Sequence, residues 1–198
     1  MEPNTELPSR DDALALLHEY TEKAGLLQHA LAVEAAMRAH ARRLGADEHA
    51  FGLAGLLHDF DYERYPSLDD HPFRGAEILE ARGWPAWFRK AILSHAPHTG
   101  VPRETDLEKC LFATDELCGF LVACAYVRPD RAIGSVKASS VRKKMKSKAF
   151  ARSVNREDIV EGAAGIGMDL GDHVTFVVGA LAGVADDLGL AGVQGEPT

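Results

Sequence analysis

The sequence predicts an all-α domain, a bundle of about seven to nine helices. Three observations carry that expectation. Apolar residues recur at three- and four-residue intervals along most of the chain, no stretch sustains the two-residue alternation of a half-buried strand, and capping or stopping residues punctuate the apolar runs. With 198 residues, 46% of them hydrophobic and 26% charged, disorder and collagen-like repeats are excluded. A chain of this length buries about 70% of its unfolded surface, so its core needs no metal or disulfide staple. Any metal site would therefore serve chemistry first.

In chain order, Ser9 caps a first helix running through Ala24, with Asp11 and Asp12 complementing the helix dipole and Gly25 as the stop. A second helix spans residues 26–44 and ends at Gly45. Asp47 caps a third, very apolar helix that ends at His58 and Asp59. After a turn-rich connection containing Pro66, Pro72 opens a helix over residues 72–82 that Gly83 stops, and Trp84-Pro85 opens another that reaches His95 before Pro97 breaks it. Asp106 caps a long helix over residues 107–127 with Leu111, Leu117, Leu121 and Val122 facing inward and Asp115 at its middle. A short basic helix over 139–151, a cap at Asn155 with Asp158 three residues on, and a last helix over 170–188 complete the series. The expected organisation is a tail over 1–8, one helical domain over 9–188, and a flexible tail over 189–198.

The three cysteines, Cys110, Cys118 and Cys124, are odd in number and form no Cys-x-x-Cys pair, so no disulfide framework is expected. The acidic start of the chain is followed by no apolar run, and no apolar stretch is long enough to span a membrane. A reducing, cytoplasmic setting follows as the expectation.

The formal charge of −8 conceals a segregation: residues 1–130 carry −9, residues 131–156 carry +9 with no acid at all, and residues 157–198 carry −8. An acidic total argues against coating nucleic acid or an anionic membrane. The basic segment, with Arg142, Lys143, Lys144, Lys146 and Lys148, is readable as a solvated helix face or as a wall that holds substrate phosphates. Its one aromatic, Phe150, gives little support to a single-strand stacking platform.

Seven of the nine histidines fall between His29 and His98. His29 lies among Leu26, Leu27, Leu31 and Val33; His58-Asp59 ends an apolar helix; Asp115 interrupts an apolar face. Buried imidazoles and carboxylates need partners, and a shared divalent cation supplies one for all of them. Mixed imidazole and carboxylate ligands suit Fe, Mn, Co, Ni or Zn better than Mg. His18, His40, His49 and His173 are read as surface or boundary residues, and Trp84, Trp87 and Phe88 as core.

The order His29, His58-Asp59, Asp115 resembles the HD-domain superfamily of metal-dependent phosphohydrolases, over about residues 26–130. His71, in His71-Pro72-Phe73-Arg74-Gly75, and His95, in Ile92-Leu93-Ser94-His95, make the pattern similar to the two-metal branch that includes bacterial dinucleoside-tetraphosphate hydrolases. Residues 136–167 look like a smaller group of predicted HD hydrolases of this length. The resemblance implies two divalent ions, one held by His29, His58 and Asp115 and one by His71 and His95, with Asp59 shared, and a metal-bound hydroxide attacking phosphorus. It implies as substrate a phosphoester or phosphoanhydride of a nucleotide or other small phosphorylated metabolite. His98 is a candidate substrate contact or proton donor. Where several relatives carry a Lys or Glu near the scissile phosphate, this chain has Tyr62, flanked by Asp61 and Glu63. Those two are candidate acids whose ordinary reading is a solvated loop carboxylate. Lys143, Lys144, Lys146 and Arg142 are candidate phosphate contacts. The alternatives are a one-metal nucleotidase using His29, His58, Asp59 and Asp115, and a metal-containing module that binds a nucleotide without turnover.

Overall fold

The computed structural model describes residues 6–192, which form nine α-helices, two short 3-10 turns and no β-strand. The all-α expectation holds. The helices are α1 (Arg10–Tyr20), α2 (Ala24–Leu44), α3 (Glu48–Leu57), α4 (Phe73–Ala81), α5 (Ala86–His95), α6 (Asp106–Tyr126), α7 (Ala138–Met145), α8 (Arg156–Gly165) and α9 (Leu170–Ala182). None of them is long and apolar enough to cross a membrane. Packing divides the chain into two units, Met1–Phe112 and Ala113–Thr198.

In the first unit α3 is the central element. All eight residues from Ala50 to Leu57 are buried, as expected of a helix apolar all round. Its N-terminus is fixed by Asp47, which accepts from the amides of His49 and Ala50 at 2.9 and 3.2 Å. Helix α2 lies directly against it, because Gly55 has no side chain. A Cβ there would stand 2.8 Å from the Val33 carbonyl oxygen and 2.9 Å from Glu34 Cα. Glu34, itself buried, receives Arg10 through two bonds of 2.7 and 2.9 Å and Arg38 at 3.0 Å, tying α1 to α2.

Helix α1 starts as expected, with Ser9 and Asp12 forming a reciprocal capping box. Its end differs. It stops at Tyr20, and Gly25 sits in the first turn of α2 rather than acting as a stop. Two tertiary contacts account for this: the Thr21 hydroxyl donates to the Phe60 carbonyl at 2.9 Å, and Glu63 accepts the amides of Glu22 and Lys23 at the head of α2. Helix α6 likewise starts differently, with Thr105 and Glu108 forming the reciprocal cap and Asp106 already helical. Trp84 and Phe88 are core, but Trp87 is 42% exposed.

In the second unit α9 is capped by Asp169, which accepts the amides of Gly171 and Asp172. The expected helix over 139–151 ends at Met145, and the turns after it are gathered by Arg156, which donates to the carbonyls of Ser147, Phe150, Ala151 and Val154. Helix α9 ends at Ala182, short of residue 188. Residues 189–192 are packed rather than frayed: Leu190 is fully buried, its carbonyl accepts from Ile133 at 2.9 Å, and Ala191 pairs with Ala132. The remaining expected tail, 193–198, lies outside the described residues. All three cysteines are buried thiols, and burial pushes Cys110 to about 12 and Cys124 to about 11.

Candidate metal centre

Four imidazoles and one carboxylate meet in the first unit. His29 comes from α2, His58 caps α3, Asp59 follows it, His71 precedes α4 and His95 ends α5. The turn after α3 is locked from behind by fully buried Phe60, whose ring meets Tyr20 edge-on at 5.4 Å, and by Arg64, stacked over the same tyrosine. That fixes the backbone on which Asp59 stands.

Asp59 faces two sets of nitrogens with its two oxygens. Oδ1 lies 3.2 Å from His71 Nε2 and 3.2 Å from His95 Nε2. Oδ2 lies 3.5 Å from His58 Nε2 and 3.9 Å from His29 Nε2. His29 and His58 also bring their Nε2 atoms to 3.1 Å of each other. Within each set the potential ligand atoms stand within 4.8 Å of one another. Two ligands bound at about 2.0–2.2 Å to one ion stand roughly 3 Å apart, so these spacings suit an ion in each set.

The outer nitrogens say which ring atom is offered. His58 Nδ1 donates to the Gly55 carbonyl at 2.8 Å, and His95 Nδ1 donates to the Ile92 carbonyl at 2.5 Å. Carbonyls only accept, so both rings present Nε2 inward. His71 Nδ1 donates to Asp61 Oδ1 at 2.8 Å, with the same consequence. His58 is fully buried, with its Nε2 facing His29 and Asp59.

The charges agree with this geometry. Burial works against ionisation of Asp59, but the charge of His58 and bonds from His58, His71 and His95 hold its carboxyl well below the usual range. Burial likewise works against protonating His71. Bonds and charge from Asp59 and Asp61 outweigh it and raise this histidine to about 9.

The remaining expected site residues are placed as follows. Asp61 is fully buried, which corrects its reading as a solvated loop carboxylate. Besides His71 it accepts the Gly75 amide at 2.8 Å. Glu63 is pinned to the head of α2, and those two amides lower its carboxyl. His98 donates from Nε2 to the His71 carbonyl at 2.9 Å, with the Phe73 ring at its edge. Tyr62 is 40% exposed and meets His71 edge-on at 5.2 Å. Asp115 lies half-buried on α6, in the second unit. The basic residues, on α7 and just after it, also belong to the second unit: Arg142 pairs with Asp169 at 2.9 Å, Lys144 lies over the Phe150 ring, and Lys143 and Lys146 are exposed. His40 and His173 are fully buried rather than at the surface or boundary. The residue that the sequence under-reads is Asp61, and no local signal separates it from its acidic neighbours.

Imidazoles gathered round a shared carboxylate on a helical framework make a cluster with the composition of a metal site. The HD domain family model matches residues 26–118, 93 of the 198 residues, the segment that holds His29, His58, Asp59, His71, His95 and Asp115. HD domains are for the most part metal-dependent phosphohydrolases. No curated protein and no solved structure matches the chain.

Proposed function

We propose that the protein is a phosphohydrolase that holds two divalent transition-metal ions and cleaves a phosphoester or phosphoanhydride of a nucleotide or other small phosphorylated metabolite. The observation that carries this reading is the division of Asp59 between two sets of imidazoles. His71 and His95 hold one ion, His29 and His58 the other, and Asp59 serves both. The family pattern adds Asp115 to the second of these sets. When bound, such ions neutralise phosphoryl oxygens and lower the pKa of a water molecule from 15.7 toward about 7.

The chain's own groups then orient substrate and move protons. Asp61 and Glu63 have their carboxylates engaged by His71, Gly75, Glu22 and Lys23, which disfavours either as a proton donor. His98 is the better candidate, since its Nδ1 has no partner among the described residues while Nε2 anchors the ring. Partly exposed Tyr62 and Phe73 stand beside His71 and His98 and supply aromatic surface next to the site, which favours a nucleotide over an aliphatic phosphate. A panel of nucleotides and sugar phosphates assayed with Mn2+, Fe2+ and Co2+ tests the reading. Release of phosphate or nucleotide from at least one class is expected; none from any, with ions bound, contradicts turnover.

An ion at His71 must displace the proton on Nε2. With this histidine raised to about 9, Co2+ affinity should climb about tenfold per pH unit from 7 to 9 and level off above. Titrations at several pH values check this, and an affinity independent of pH contradicts it. In the ion-free protein the same raised value adds stability that is complete below about pH 6.5 and is lost as pH rises through about 9.

A further inference from the structure

We propose that Asp61 is the positioning residue for the ion held by His71 and His95, and that Gly75 exists in its place to hold Asp61. This rests on the two-ion reading above. The histidines of the centre are steadied in two ways. His58 and His95 sit at helix ends and donate Nδ1–H to carbonyls three residues back on their own helices. His71 precedes its helix and has no such carbonyl, so its Nδ1–H goes to a carboxylate ten residues earlier.

That carboxylate is costly to keep. Asp61 is fully buried, and no Lys or Arg pairs with it among the described residues. Its two oxygens are divided between His71 Nδ1 and the Gly75 amide, each at 2.8 Å. A neutral acceptor would orient the ring equally well, as two carbonyls do nearby. A carboxylate adds something a carbonyl lacks: it strengthens His71 Nε2 as a donor toward a cation. Gly75 completes the arrangement. Any Cβ there would stand 2.9 Å from Asp61 Cγ and 3.0 and 3.1 Å from its oxygens, in a place where the carboxylate cannot swing out to solvent.

The competing explanation is purely structural, since Asp61 also caps the third amide of α4, whose N-cap Pro72 makes no side-chain bond. Calorimetric Co2+ titration of the full-length, ion-free chain separates the two, with Asp61→Asn and Gly75→Ala run beside the wild type and thermal unfolding run in parallel. Asp61→Asn keeps the shape and loses the charge; Gly75→Ala keeps the charge and displaces it. We expect the wild type to take up two ions, and both variants to bind one of them normally and the other about 10–100-fold more weakly. Should Asp61→Asn fail to fold, Gly75→Ala decides alone by the same criterion. Two ions bound at wild-type affinity by a folded variant, or both weakened by the same factor, would overturn the proposal while leaving the two-ion reading intact. A wild type that binds a single ion overturns the two-ion reading itself.

Discussion

Asp59→Asn is expected to remove both ions at once and to lower hydrolysis by at least about 1,000-fold, the scale on which loss of fixed transition-state charge is felt. The reason is geometric. One oxygen faces His71 and His95 and the other faces His58 and His29, so no single imidazole substitution has the same reach. His71→Ala, by comparison, should spare the ion at His29 and His58. Metal analysis after anaerobic purification, with far-UV circular dichroism to verify helix content, measures both. Retention of one full equivalent by Asp59→Asn would mean that its carboxylate is not shared.

Gly55→Ala should be the most damaging small substitution in the first unit. A methyl group there meets backbone on two sides, the Val33 carbonyl and the Glu34 N and Cα, and backbone in a helix cannot rotate away as a side chain can. Helices α2 and α3 must separate, at a cost of about 3 kcal/mol, or a fall in Tm of roughly 6–12 °C. The same residue's carbonyl holds His58 Nδ1, and His29 sits on the helix being pushed away, so the 3.1 Å approach of the two imidazoles opens as well. Thermal unfolding and Co2+ titration together report this. A Tm within 2 °C of wild type would show that the helices adjust without strain.

What was legible in the sequence follows from how far each determinant acts along the chain. Ser9, Asp47, Asn155 and Gly45 cap or stop helices through neighbours two to four residues away, and each does so where expected. The boundaries at the end of α1 and the end of α7 depend on partners outside the reach of a local cap, while α6 starts one residue early because Thr105 and Glu108, rather than Asp106, form its cap. Glu63 caps α2 from 40 residues away, and Arg156 gathers the turns that cut α7 short. Cation repulsion at four-residue spacing, Arg142 with Lys146 and Lys144 with Lys148, also opposes a longer α7. The site behaves in the same way. His29 and His58-Asp59 stood out because imidazoles in apolar surroundings need a shared partner, and His71 and His95 through the resemblance to the two-metal branch. Asp61 did not, because in sequence it is one acid among Asp59, Asp61 and Glu63, and only the folded chain distinguishes a carboxylate sealed behind His71 from one pinned to a helix head. The basic segment shows the reverse case. Its composition is conspicuous, yet Arg142 is engaged by Asp169 and Lys144 by Phe150.

Two ions sharing one carboxylate make the central claim, and electron paramagnetic resonance of the Mn2+-loaded protein tests it most directly. Ions joined through Asp59 are expected to bind as two equivalents and to give an exchange-coupled, multiline spectrum that collapses to an uncoupled signal in Asp59→Asn. A single equivalent of Mn2+, or two that remain uncoupled in the wild type, would contradict it.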